Sequence, residues 1–254
     1  WSRSGMTWGT PESRVKVMCV HGWRTSPSIM EFQTSELRRR LPELEFHFMP
    51  GHMRESEACD QTIASLFPGP YYAHWGLHQS ETEQTVNIKK AVAGALDFIK
   101  KNGPFQCVVG FSQGAALVTL LASLYQREAK AALPLIVCVC GVRPDHRMQS
   151  SFVEELIGTN PLSKQPRDES CFGSILRARS LHILGLQDPL LERGRALLQV
   201  YQDETCTVFE HPRGHQFPPW EEKLMYDDIA KCIKSALSAM PEGAAFGELE
   251  CNLQ

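Results

Sequence analysis

The segment CVVGFSQGAALVTLLASL, residues 107–124, decides the architecture of this chain. Its apolar, β-branched start reads as a strand, and the long apolar stretch after Ser112-Gln113 reads as a helix over 113–129. Gly110 and Gly114 stand two residues before and after Ser112, forming G-x-S-x-G. The turn between strand and helix is so sharp that side chains at these glycines would collide with neighbouring backbone. Such a turn lifts the Ser112 hydroxyl above the strand end. The free N–H groups and positive dipole end of the helix lie behind it. A serine in this context is a nucleophile elbow.

Outward from this segment, strand and helix patterns alternate. RVKVMCV (14–20) reads as a strand. IMEFQTSELRRRL (29–41) reads as a helix with Ile29, Phe32, Leu37 and Leu41 on its apolar side. EFHFM (45–49) is a short strand stopped by Pro50-Gly51, and residues 51–81 read as loop. Residues 82–103 read as a helix, with Thr82 as N-cap and Lys100 and Lys101 ahead of Gly103. LPLIVCVCGV (133–142), SLHILGL (180–186) and ETCTVFEH (204–211) read as strands, and 191–201 and 219–240 as helices. Residues 143–179 are less regular. Several strands are apolar on both faces, which predicts an α/β fold with a mostly parallel central sheet covered by helices on both sides. The expected organisation is a domain over 14–240, with a loose lead-in (1–13) and a weakly structured tail (241–254).

Composition excludes several classes of function. At 254 residues the chain can bury a substantial core. A net charge of -3 provides no global basic field for nucleic acid or an anionic membrane. No apolar run reaches the roughly 18 residues of a membrane span, and the start lacks the basic-then-apolar pattern of a signal peptide. The nine cysteines form no C-x-x-C pair. Cys138 and Cys140 lie two apart on one strand face. Reduced, buried thiols and a cytoplasmic setting are expected. His47, His52, His74 and His78 lack a regular ligand spacing, so neither a metal nor a cofactor is expected.

Ligands of parallel sheets bind at the carboxyl ends of the strands, so the strand ends are where chemistry is sought. A serine needs a base to become a nucleophile. Past the strand at 180–186 comes QDPLL, with Asp188; past the strand at 204–211 comes PRGHQFPP, with His215. Ser112, Asp188 and His215 thus follow in the order serine, acid, histidine, which is that of the α/β-hydrolases. His215 would take the serine proton, and Asp188 would hold the imidazole tautomer and stabilise the imidazolium. Asp188 also reads as a cap for the helix beyond it. His211 ends its strand pattern and His182 sits mid-strand, so both read as packed side chains. Asp203 and Asp168 follow strand ends less well.

Acyl transfer also needs two backbone N–H donors for the oxyanion. Gln113, after the serine, offers one. The loop after CVHGW offers the other, from Trp23 or alternatively Arg24. His21, in that loop, reads as a hydrogen-bonding group rather than a base. The aromatics Phe67, Tyr71, Tyr72 and Trp75, with Phe217, either line an acyl groove or pack their loops; Tyr72, Trp75 and Phe217 are carried as candidate substrate contacts.

VHGW, NGPFQCVVGFSQGAAL, VCVCGVRP, LHILGLQDPLL and EHPRGHQFP together resemble the FSH family of serine hydrolases, over roughly residues 14–240. GFSQGA and HPxGHxxP are the more specific blocks. The resemblance implies the same triad: Ser112 from GFSQG, Asp188 from GLQD and His215 from RGH. It implies a small α/β-hydrolase with a minimal lid, acting on acyl esters or thioesters, including acyl chains held on a carrier protein. Arg213 departs from the glycine of many relatives, which changes the charge beside the histidine. An acyl-protein thioesterase or lysophospholipase shares the elbow and triad order. A binding module on the same fold would have Asp188 or His215 turned away from Ser112.

Overall fold

A computed structural model describes residues 14–129, 132–144, 151–157 and 175–249. In chain order its strands are β1 (Lys16–Val20), β2 (Glu45–Met49), β3 (Met53–Glu55), β4 (Tyr71–Ala73), β5 (Cys107–Phe111), β6 (Leu135–Val139), β7 (Ser180–Gly185) and β8 (Cys206–His211). Its α-helices are α1 (Pro27–Gln33), α2 (Ser35–Arg40), α3 (Gln61–Leu66), α4 (Glu81–Asn102), α5 (Gln113–Glu128), α6 (Ser151–Ile157), α7 (Leu191–Leu198) and α8 (Lys223–Ser238). Six strands form one sheet in the order β2-β1-β5-β6-β7-β8, every pair parallel. This is the parallel α/β sheet that the strand–helix alternation predicts, in the α/β-hydrolase form that the resemblance implies. Among the described residues there is no large lid insertion, and no helix is long and apolar enough to cross a membrane.

The apolar runs follow from burial on both faces. On β5, Cys107, Val109 and Phe111 pack on one side in a cluster with Met30, Leu37, Ile229 and Ile233 from α1, α2 and α8. Val108 packs on the other side in a cluster with Ile99, Leu117 and Leu121 from α4 and α5. Residues 113 to 125 of α5 are all buried, which explains why this helix lacks a polar face. Centring β5 and α5 in this way makes the elbow between them one of the most constrained points in the fold.

Several elements differ from the local reading. The helix expected over 29–41 is two helices, broken at Thr34, whose hydroxyl donates to Met30 O (2.8 Å). Helix α4 is capped by Ser80 rather than Thr82. Ser80 Oγ accepts from Glu83 N–H while the Glu83 carboxylate accepts from Ser80 N–H, so two free donors are satisfied together. Residues 51–81 contain α3 and a two-stranded antiparallel sheet, β3–β4. Its three-residue strands are too short for an alternation to register.

Residues 241–249, within the expected tail, hold no helix or named strand, yet they dock on the domain. Phe246 is fully buried, exchanges backbone hydrogen bonds with Phe105 (2.9 Å each way) and packs on Tyr125 at 4.4 Å between ring centroids. One large apolar side chain in a Gly- and Ala-rich stretch carries no periodicity, so only tertiary packing reveals this docking. Residues 1–13 and 250–254 lie outside the described set.

Candidate active site

Ser112 joins β5 to α5 with φ 53° and ψ -116°, a strained conformation for a residue with a Cβ. Two things hold it there. Ser112 N–H donates to Val139 O at 3.0 Å, tying the turn to β6. The flanking glycines admit the close packing: a Cβ on Gly110 would lie 2.5 Å from Ala115 Cα, and one on Gly114 would lie 2.2 Å from Val20 O.

Asp188 and His215 arrive at this point from the ends of β7 and β8. His215 Nδ1–H donates to Asp188 Oδ2 at 2.7 Å, and Ser112 Oγ–H donates to His215 Nε2 at 2.8 Å. The tautomer follows from the chemistry. An ionised carboxylate only accepts, so Nδ1 carries the proton and Nε2 turns its lone pair to the serine. Asp188 is 8% exposed. Burial alone would raise its pKa. The hydrogen bond and charge of His215 outweigh that, with help from Leu190 N–H and the Cys140 thiol, and the carboxyl is held below the usual range. Asp188 Oδ1 accepts from Leu190 N–H at 2.7 Å, a bond of the turn before α7. Leu190 is the N-cap of that helix and no side chain caps it, so Asp188 divides its two oxygens between this turn and His215 and is not a helix cap. The three residues have the geometry of a Ser-His-Asp catalytic triad. His211 and His182 are both buried, as their strand positions suggest; His211 Nδ1 accepts from Arg213 N–H (3.3 Å), at the start of the loop that carries His215. The ring of His182 meets Tyr201 edge-on at 4.8 Å, and its Nε2 lacks a hydrogen-bond partner.

The loop after β1 lies against the serine. A Cβ on Gly22 would sit 3.4 Å from Ser112 Cβ, which places the start of the Trp23-Arg24 segment beside the hydroxyl. Gln113 is the first residue of α5, so its N–H has no acceptor within the helix. A buried polar network joins these two segments. The Gln113 side chain accepts from His74 N–H (3.0 Å) and donates to Trp75 O (2.8 Å). His74 Nε2–H donates to His21 O (3.0 Å), and His21 Nε2 accepts from Gly51 N–H (2.9 Å). His21 Nδ1–H then faces Gly22 O (2.8 Å). His21 is therefore a hydrogen-bonding group of the loop. His74 was legible in the sequence only as a histidine without ligand spacing. It proves to be the link from β4 to the loop after β1.

These buried rings set an acid limit on stability. Burial pushes His21 down to about 4 and His182 to about 3, and holds His74 well below its ordinary value near 6.5. Each is neutral in the fold and takes up a proton on unfolding. Their contribution is complete above pH 6.5. It is lost as pH falls toward 4 for His21 and 3 for His182, at a slope on the order of 1 kcal/mol per pH unit for each group. Thermal melts should show a level transition above pH 7 and a progressive fall below pH 6.5. A melting temperature unchanged from pH 7 to pH 4 sinks this account.

The candidate substrate contacts divide. Trp75 is 2% exposed and belongs to the core beneath α4 and α5, so it does not line a groove. Its place directly after β4 turns it inward, and the core absorbs the aromatic. Tyr72 is half-buried on β4, where its N–H donates to Thr25 O (2.7 Å). Phe217 is buried and stacks on Phe111 at 5.4 Å, while Phe111 lies 5.3 Å from the His215 ring. Phe217 therefore backs Phe111, and Phe111 lies against the imidazole of His215.

Among the described residues one group could gather a metal: Cys140, Asp188 and His215, with ligand atoms within 4.8 Å of one another. The 2.7 Å between His215 Nδ1 and Asp188 Oδ2 holds a shared proton. An ion bonded to both atoms at about 2 Å would spread them to roughly 3 Å or more.

The comparisons with known proteins agree with this geometry. The family profile described as Serine hydrolase (FSH1) matches residues 10–225. The esterase FPY3 of Fusarium mangiferae is 24% identical over 88% of this chain and 97% of its own length. The esterase OVCA2 of Danio rerio is 24% identical over 85% of this chain and 96% of its own length. Among solved structures, Arabidopsis thaliana SOBER1 shares the fold, with a TM-score of 0.54, 16% identity, and coverage of 89% of this chain and 100% of its own.

Proposed function

The chain belongs to the FSH1 family of serine hydrolases, and on that footing we propose that it cleaves carboxylic esters or thioesters through an acyl-enzyme on Ser112. The observation that carries the reading is the continuous path of hydrogen bonds Ser112–His215–Asp188, with the lone pair of Nε2 facing the hydroxyl.

In this reading Ser112 Oγ attacks the acyl carbon as Nε2 takes its proton. Asp188 stabilises the imidazolium that forms. The oxyanion is received by Gln113 N–H and by Trp23 N–H from the loop after β1. Collapse of the tetrahedral intermediate expels the alcohol or thiol, which leaves with the proton from Nε2. Water then enters, gives a proton to Nε2, and attacks the acyl-enzyme. The acid departs and Ser112 regains its proton. A free small-molecule ester and an acyl chain on a carrier protein both fit this chemistry. The buried thiols Cys19, Cys107 and Cys138 support a reducing, cytoplasmic setting. The mutual orientation of Ser112, His215 and Asp188 counts against a non-catalytic binding module.

The experiment is covalent labelling by a fluorophosphonate. Wild-type protein should gain one phosphonyl group, on the peptide that carries Ser112, and lose hydrolysis of p-nitrophenyl esters in step. Ser112→Ala should remain unlabelled. Equal labelling of the two proteins would overturn the reading.

A further inference from the structure

Cys140 stands one residue beyond β6, between the ends of the two strands that deliver Ser112 and Asp188. It is 2% exposed and has φ 44°. A left-handed backbone at a residue with a Cβ is strained, and glycine would hold it without strain. The strain puts the thiol at a junction. Its sulfur lies 3.2 Å from Gln216 O and 3.9 Å from Gly214 O, the carbonyls on either side of His215. It also lies within 4.8 Å of the nearest ligand atoms of Asp188 and His215. Cys140 N–H donates to Ile183 O at 2.8 Å, which fixes the backbone to β7.

We propose that Cys140 is a positioning residue of this hydrolase, its thiol holding the His215 loop and the Asp188 carboxylate in register. The proposal rests on the Ser112–His215–Asp188 reading above and extends it by one residue. A thiol carries one proton and has two kinds of acceptor here, the loop carbonyls and the carboxylate. Burial, then the Asp188 charge, pushes the thiol up to about 12, so it stays protonated and available as a donor. A thiol buried this deeply is a poor nucleophile, which separates this role from covalent chemistry.

The other titratable and charged groups around the ring are His211 on β8, with Glu222 beyond it, the exposed Arg213 on the histidine loop, and neutral His21 and the ion-paired Arg24 on the loop after β1. None of these changes when Cys140 is replaced. Losing the thiol frees the carbonyls on either side of His215 and removes the thiol's lowering effect on the Asp188 carboxyl. The carboxylate then stabilises the imidazolium more strongly, and the acid limb of the pH–rate profile moves to higher pH.

The test compares Cys140→Ala, Cys140→Gly and Cys140→Ser with wild type on a p-nitrophenyl ester. For Ala and Gly, kcat/KM should fall roughly tenfold, the loss expected from one hydrogen bond missing in the transition state. The acid limb should rise by roughly half a pH unit, on the scale of a single hydrogen bond to the carboxylate. Ser, which keeps a donor, should stay near wild type in both. The pH dependence of phosphonate labelling gives the same limb without turnover. Glycine removes the backbone strain, so a loss shared by Gly and Ala does not arise from misfolding of the turn. Unchanged kcat/KM and limb in Ala and Gly overturn the proposal. So does a fall in rate without a shift of the limb, because that is a packing effect only. If Ser112→Ala retains activity, the triad reading itself has failed; if it is inactive while the Cys140 variants match wild type, only this inference has.

Discussion

Asp188→Asn is expected to lower kcat/KM for an activated ester by roughly ten-thousandfold, and His215→Gln by at least as much. The reason lies in how the two carboxylate oxygens are used. Oδ1 accepts from Leu190 N–H and Oδ2 accepts from His215 Nδ1–H. An asparagine amide has one oxygen and one NH2 group, so it can serve only one of these donors. With its oxygen on Leu190, its NH2 faces Nδ1 and drives the imidazole into the tautomer with Nε2–H. That proton blocks the lone pair that must receive the serine proton. With its oxygen on His215, its NH2 opposes Leu190 N–H and the loop must shift. Either outcome disables the base. Initial rates across pH, with a thermal melt to establish that the fold persists, check this. An Asp188→Asn variant within tenfold of wild type would sink the assignment of Asp188.

Gly114→Ala should be among the most destabilising small substitutions near the site. The added Cβ would lie 2.2 Å from Val20 O and 2.6 Å from His21 O, both backbone atoms of the central sheet and its loop. Neither can move without dragging β1 or the loop that faces Ser112. Overpacking against backbone is expected to cost about 3 kcal/mol or more. For a chain of this size that lowers the melting temperature by about 10 °C. Gly94→Ala is the matched control. Gly94 lies mid-helix in α4 with open space where its Cβ would be. There alanine should stabilise by about 0.5–1 kcal/mol through helix propensity. If both variants melt like wild type, α5 does not pack on β1 as closely as described.

Much of the site was legible because its parts are local. G-x-S-x-G between an apolar strand and an apolar helix specifies a turn and the residue at its apex. Asp188 and His215 are readable because parallel strands present their carboxyl ends on one side, and each residue follows such an end. What escaped is what depends on contact between distant segments. Trp75 and Phe217 read as aromatics near the site, but which face a short strand or loop turns inward is decided by the volume the core must fill. His74 carries no motif, and its importance comes from the His21 carbonyl and the Gln113 side chain, which two distant segments bring to it. Cys140 looked like one more apolar strand residue, since a left-handed φ at a strand end leaves no trace in composition.

The six strands of the main sheet, their parallel arrangement and the identity of the three triad residues follow from periodicity and spacing. These are properties of neighbours in the chain, where sterics and backbone hydrogen bonding act within a few residues. The tautomer of His215, the division of Asp188 between two donors, the burial of Phe246 and the reach of the Cys140 thiol to the histidine loop were decided only by tertiary packing. Each depends on a distance between groups from distant parts of the chain, and such distances are set by the closing of the core around all of them at once.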